Sequence, residues 1–217
     1  MANKILVIAP HPDDETLGCG GTILRHKNEG DEVHWLIVTN YSENDDAYIT
    51  RQKEIQDVAK AYNFDSTLKL NIETTKLDSI LMSDLIELLK IQIEKIKPNI
   101  IYAPYINDVH TDHQIIAKAV NSFSKWFRYP YLKQINVYET LSETNFNFDK
   151  EQFSPNLFLD ITEYLEEKIA ISKLYVSEFS EHPFPRSINA IESCALIRGS
   201  ISGYKYAEAF QILIIRK

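Results

Sequence analysis

Short apolar runs alternate with amphipathic helical stretches along this chain, and that rhythm restricts the fold more than any other feature. Residues 5–9 (ILVIA) form a continuous apolar run, as a strand buried on both faces requires. A helical pattern follows, with Leu17, Ile23 and Leu24 as its apolar positions, and residues 33–39 (VHWLIVT) make a second run. Ile55, Val58, Ala59 and Tyr62 then share one helix face. Residues 67–70 suit a short third strand. Leu81, Leu85, Leu89 and Ile96 mark a long helix over 79–97, stopped by Pro98. Residues 99–103 (NIIYA) are a fourth strand, and Ile116, Val120, Phe123 and Phe127 line a helix over 113–127. Strands are expected again at 135–139, 157–160 and 209–215, with helices at 162–176 and 188–198. Strand and helix in alternation predict an α/β fold with a mostly parallel central sheet. No repeat or linker interrupts residues 1–217, so a single domain is expected.

In such a sheet, ligands bind beyond the carboxyl ends of the strands. Two polar clusters fall there. HPDDE (11–15) leaves the first strand directly, and NDVHTDH (107–113) follows the strand at 99–103 and opens the next helix. Both therefore lie at one sheet edge. His11 and Asp14 are three residues apart, as are His110 and His113. A catalytic zinc site takes three protein ligands and keeps one position open, and two histidines with one carboxylate make such a set. Its net charge near plus one acidifies a bound water. Neighbouring side chains diverge, so one of Asp13 and Asp14 can bind metal while the other accepts a proton. A dication also offsets the repulsion between adjacent carboxylates.

Simpler roles compete. Asp13 or Asp14 can cap the helix that follows, and Thr111 can cap the helix after HTDH. Gly18, Gly20 and Gly21 suggest a dinucleotide loop, but GCGG is not G-x-G-x-x-G, and acidic residues stand where a pyrophosphate would sit. Those glycines are expected to permit close approach of helix and sheet. Two clusters at one edge, holding three of the six histidines, favour the metal.

The net charge of −8 argues against a sequence-blind nucleic-acid partner. Two cysteines, Cys19 and Cys194, give no disulfide framework and suit a reducing compartment. The opening MANKILVIAP is too short for a signal peptide, and no apolar run is long enough to span a membrane. The expected location is cytoplasmic. No isolated apolar stripe marks an interface, so a homo-oligomer stays open.

IAPHPDDETLGCGGTI (8–23) closely resembles the first signature of the LmbE-like, or PIG-L-like, zinc-dependent N-deacetylases. HTDH (110–113) resembles the second signature, H-x-D-H before a helix. RQKE (51–54) and GYKYAEAF (203–210) resemble further family segments, so the likeness runs through nearly the whole chain. The resemblance implies a Rossmann-like three-layer fold and one Zn2+ per chain, or another divalent transition metal, held by His11, Asp14 and His113. It implies Asp13 as general base, His110 as general acid or oxyanion stabiliser, and Asp112 as a residue that orients His110. The substrate implied is a small amino sugar, an N-acetylglucosamine or its conjugate, losing its acetyl group to water. Arg51 is expected at the mouth of the site, contacting sugar hydroxyls or phosphate; His182 and Arg186, in the loop SEHPFPRS, are further substrate-binding candidates. Two alternatives stand beside this: an amidase for a larger sugar amide, and a metal- or sugar-binding module without turnover. Asp13 with His110 argues against the second, because a pure binding site needs neither base nor acid.

Overall fold

The computed structural model describes residues 2–149 and 151–217. Seven strands form one sheet: β1 (Lys4–Ala9), β2 (Glu32–Asn40), β3 (Ser66–Glu73), β4 (Ile100–Pro104), β5 (Gln134–Tyr138), β6 (Leu157–Asp160) and β7 (Ala207–Ile215). Six α-helices accompany them: α1 (Asp14–Asn28), α2 (Tyr48–Tyr62), α3 (Met82–Ile96), α4 (Thr111–Asn121), α5 (Leu165–Ser172) and α6 (Ile188–Ser202). The strand order is β3-β2-β1-β4-β5-β7-β6. The first five run parallel, and β7 alone lies antiparallel to its neighbours β5 and β6. No helix among the described residues is long and apolar enough to cross a membrane.

Period-two alternation along the strands builds a core on each face of the sheet. Leu6 and Ile8 of β1 pack with Leu85, Leu89 and Ile93 of α3 and with Ile116 and Val120 of α4. Ile5, Val7 and Ala9 face the other way, against Cys19 and Ile23 of α1 and Ile55 and Val58 of α2. Every one of these side chains is at most 1% exposed, so β1 is buried on both faces as its apolar run requires. The α/β fold with a mostly parallel sheet expected from the alternation, and the three layers implied by the resemblance, are thus the fold observed.

The chain reverses its direction of growth between β1 and β4. These strands are neighbours in the sheet but far apart in sequence, which makes the gap at their carboxyl ends a topological switch point. Both polar clusters open there. Gly18 sets how closely α1 seats on the sheet: a Cβ at that position would run into the ring of Tyr138, whose hydroxyl donates to the Ile8 carbonyl at 2.8 Å. This is the close approach expected of the glycine cluster.

Three helices are shorter than their apolar patterns predict. α3 covers 82–96 rather than 79–97, with Leu81 exposed at its N-cap. α4 stops at Asn121, where Ser122 Oγ donates to the Ala119 carbonyl at 2.7 Å and competes with the backbone ladder. Trp126 and Phe127 then lie exposed beyond the helix. α5 covers 165–172 rather than 162–176, because turns occupy its flanks.

Candidate metal centre

Beyond β1 the backbone turns sharply at Asp13, whose φ of 135° is a conformation that costs an L-residue about 1–3 kcal/mol. Asp13 stands at the N-cap position of α1, but its side chain makes no cap hydrogen bond. The turn sends the two neighbouring carboxylates in different directions. Asp14 Oδ2 lies 3.3 Å from His11 Nδ1 and 3.2 Å from His113 Nε2, and those two ring nitrogens are 3.3 Å apart. Three donor atoms thus form a nearly equilateral triangle. Ligand atoms about 2.0–2.2 Å from a tetrahedral zinc stand about 3.3–3.6 Å from one another. The set fits a divalent transition metal in donor type, number and spacing, with one coordination position left for water or substrate.

Each histidine of the triangle has a carboxylate behind it. His113 Nδ1 is 2.9 Å from Asp108 Oδ2, and His11 Nε2 is 3.1 Å from Asp112 Oδ2. Such carboxylates fix the ring orientation and the tautomer, leaving the other nitrogen's lone pair free for metal. Asp108 is itself held by Thr144 Oγ1, which donates to its Oδ1 at 2.6 Å, and Asp112 Oδ2 accepts from the Thr75 backbone N–H at 2.8 Å. Asp108 lies inside NDVHTDH yet carried no signal of its own, since only the fold of the 105–110 turn brings it to His113.

The role expected of Asp112 is corrected by its contacts. Its carboxylate does not orient His110; it reaches across the switch point to His11. The link to His110 runs through the backbone, where the Asp112 N–H donates to His110 Nδ1 at 3.1 Å. His110, not Thr111, is therefore the N-cap of α4. An Nδ1 that accepts must be unprotonated, so the proton of the neutral ring sits on Nε2. His110 also lines the cleft with His11 and His113.

Electrostatics follow from burial and from these pairings. Burial opposes a charge on His113, but the carboxylates of Asp14 and Asp108 outweigh it and hold its pKa well above the ordinary value. His11 is treated alike: burial disfavours its charge, yet bonds to Asp112 and Asp14 bring its pKa to about 9. Asp14 is driven the other way, since the two histidines overcome burial and keep it ionised. The carboxylates that favour charge on the two histidines would equally favour a dication between them. His110 moves down to about 4, through burial and then through positive charge on His11 and His113. Burial, together with the charges of Asp14 and Glu178, raises the pKa of Asp13, and Arg186 and Arg51 restrain that rise.

The triangle opens into a cleft of about 240 Å³. Arg51 lines it but is not free: it donates to the Pro12 carbonyl at 2.8 Å, pairs with Glu178, and lies 3.5 Å from Glu54 Oε2. Arg186 also lines it, 3.3 Å from Asp13 Oδ2 and 3.2 Å from Glu178 Oε2. His182 is not brought to the site. It borders a separate depression with Phe179 and Asn189, while Glu178 and Arg186, on either side of it in the chain, line the cleft. Glu178, Thr140 and Glu143 also line the cleft, and none of them was singled out from the sequence.

Known proteins match this chain along nearly its whole length. The family model described as PIG-L, GlcNAc-PI de-N-acetylase, matches residues 6–124, a stretch that contains both polar clusters. The diacetylchitobiose deacetylase of Thermococcus kodakarensis is 24% identical over 229 residues, covering 97% of this chain and 83% of that protein. Among solved structures, the conserved protein TT1542 from Thermus thermophilus superposes with a TM-score of 0.80 at 23% identity, covering 100% of this chain and 97% of that one. The N,N'-diacetylchitobiose deacetylase from Pyrococcus horikoshii follows with a TM-score of 0.78 at 24% identity, covering 98% of this chain and 84% of that one. The two structures share the fold.

Proposed function

Since this chain belongs to the PIG-L family, we propose that it is a metal-dependent hydrolase that removes the acetyl group from an N-acetylglucosamine-type amino sugar or a conjugate of one. The observation that carries the reading is the His11–Asp14–His113 triangle, with an unliganded carboxylate, Asp13, beside it. The named relatives, deacetylases of N-acetylated sugars, support the substrate class.

An acetamide resists hydrolysis because nitrogen donates into the carbonyl. Its cleavage needs an activated water, a stabilised oxyanion and a proton for the departing amine. A divalent metal in the triangle would act as a Lewis acid, polarising the carbonyl and lowering the pKa of the attacking water toward about 7. Asp13 takes the water's proton as oxygen adds to the carbonyl carbon. Its neighbour Asp14 is committed to the triangle, and Arg186, itself paired with Glu178, holds Asp13 at the cleft wall. His110, neutral with its proton on Nε2, donates to the developing oxyanion. The Asp112 N–H that occupies Nδ1 supports this role over that of an imidazolium acid. The proton held by Asp13 then passes to the nitrogen as the C–N bond breaks, giving acetate and a free amine.

The test pairs metal analysis with acetate release from N-acetylglucosamine conjugates, for wild type, Asp13→Ala and His113→Ala. About one metal per chain is expected in wild type and Asp13→Ala, none in His113→Ala, and acetate from wild type alone. Metal without acetate from any conjugate would refute the deacetylase reading; a metal-free wild type would refute the centre itself.

A further inference from the structure

Charge accounting around the cleft leaves one acidic side chain unexplained. Among the described residues that line it, the cations of lysine or arginine type are Arg51 and Arg186. Arg51 is neutralised by Glu178 and Glu54, and Arg186 is shared between Asp13 and Glu178. A carboxylate or phosphate on a substrate could claim Arg51 only by displacing Glu178 or Glu54, and Arg186, whose buried Nε makes no hydrogen bond among the described residues, already commits its other two nitrogens to Asp13 and Glu178. Of the lining carboxylates, Asp14 belongs to the metal triangle, while Asp13 and Glu178 are paired with arginine. Glu143 has neither role; the hydrogen bond to its carboxylate comes from Ser142 Oγ at 3.2 Å.

Glu143 is also held in place at some cost. Ser142 before it has a φ of 77°, left-handed backbone that a non-glycine residue seldom takes. The Glu143 N–H donates to the Thr140 carbonyl at 3.1 Å, and the Thr140 N–H donates to Thr144 Oγ1 at 2.8 Å. Thr144 in turn is tied to Asp108, behind His113. The segment following β5 is therefore anchored to the metal centre itself. A second polar group beside Glu143 lacks a partner among the described residues: Thr140, only 1% exposed, lines the cleft with a hydroxyl that makes no hydrogen bond to them. A buried orphan hydroxyl costs about 1–3 kcal/mol, which a ligand would recover.

We propose that Thr140 and Glu143 form a hydroxyl-binding corner that determines specificity, selecting uncharged, polyhydroxylated N-acetyl substrates and turning away those with a carboxylate or phosphate beside the amino sugar. The inference rests on the deacetylase reading and sharpens it. Glu143 accepts hydrogen bonds from sugar hydroxyls and repels an anion; Thr140 supplies a donor or an acceptor as the sugar requires.

Two disaccharides of one skeleton test it: N-acetylglucosamine linked to glucose, and the same sugar linked to glucuronic acid, assayed by acetate release. Wild type is expected to favour the neutral compound roughly tenfold or more in kcat/KM. Glu143→Gln, which keeps the shape and an acceptor, should bring that ratio within about threefold. Thr140→Val should raise KM for the neutral compound about tenfold with kcat little changed, and should not lower the thermal midpoint, since no protein contact is lost. Equal use of both compounds by wild type, or an unchanged ratio in Glu143→Gln, overturns the proposal. Absence of acetate from either compound counts against the deacetylase reading instead. The charge preference is then read by calorimetric binding of the same compounds to the metal-loaded protein: a neutral preference that Glu143→Gln abolishes supports the corner, and equal or no binding overturns it.

Discussion

Replacing Asp108 with asparagine isolates what the carboxylate behind His113 contributes. The substitution changes no ligand and almost no volume. Asp108 Oδ2 accepts from His113 Nδ1 at 2.9 Å, so with a metal in the triangle Nε2 would be the unprotonated atom that faces it. Asp108 Oδ1 meanwhile accepts from Thr144 Oγ1 at 2.6 Å. An asparagine that keeps its carbonyl toward Thr144 must present its NH2 to His113. A protonated Nδ1 cannot donate to that group, so the ring moves its proton to Nε2 and blunts the ligand atom. Loss of such a carboxylate weakens metal binding about 10–100-fold, or about 1.4–2.8 kcal/mol. With metal at about a thousand times the wild-type Kd, binding stabilises the wild-type fold by about 4 kcal/mol. The variant keeps about 1.4–2.7 kcal/mol of that. For a chain of this size, the metal-induced rise in Tm should shrink by about 3–11 °C. Competition against a chromogenic chelator gives Kd directly, and melts with and without metal give the linked shift. A variant Kd within about twofold of wild type would refute the argument that Asp108 sets the tautomer of His113.

Other substitutions probe separate parts of the chain. Asp13→Asn should lower kcat about 10²–10⁴-fold while metal content stays at the wild-type level; equal loss of metal would place Asp13 among the ligands instead. Gly199→Ala should destabilise the fold by about 1–3 kcal/mol in urea melts, because a Cβ there would lie 2.7 Å from the carbonyl oxygens of Tyr204 and Lys205, backbone atoms that cannot swing aside. His26 should impose a pH dependence on stability. Burial depresses its pKa, although Asp31 at 2.8 Å opposes this. The unfolded chain therefore takes up the proton first as pH falls below the ordinary value of about 6.5, and stability declines on acidification. The loss between about pH 7 and pH 5 should be smaller in His26→Gln than in wild type, and parallel curves would exclude His26 as its source.

Much of the architecture was legible because burial on two faces leaves a plain mark. β1 must be apolar throughout to lie between α1 and α3, and ILVIA shows it. The three residues of the triangle could be singled out for a related reason: each sits at the end of a strand or the start of a helix, where local sequence places it. What stayed hidden depends on contacts between distant segments. Asp112 stands two residues from His110 in the chain, yet its carboxylate turns to His11, about a hundred positions away, because β1 and β4 are adjacent in the sheet. Asp108 needed the turn after β4, and Thr140 and Glu143 needed the strained backbone after β5. Within SEHPFPRS, Arg186 enters the cleft and His182 leaves it, a division that no composition of the loop could reveal.

The pairing of Asp13 with Asp14 shows how the fold makes use of a repulsion that the bare sequence only displays. On an ordinary helix start both carboxylates would share one solvated turn. Here the φ of 135° at Asp13 separates them, so Asp14 meets the two histidines and Asp13 meets Arg186. The strain of about 1–3 kcal/mol is local, whereas the opposing charges are supplied from remote elements: His113 from α4 and Arg186 from the loop before α6. Relaxing the turn would therefore do more than relieve strain. It would bring the carboxylates together and take one acceptor from the triangle and the other from the cleft wall. Both the candidate metal triangle and the carboxylate proposed as its base depend on that conformation.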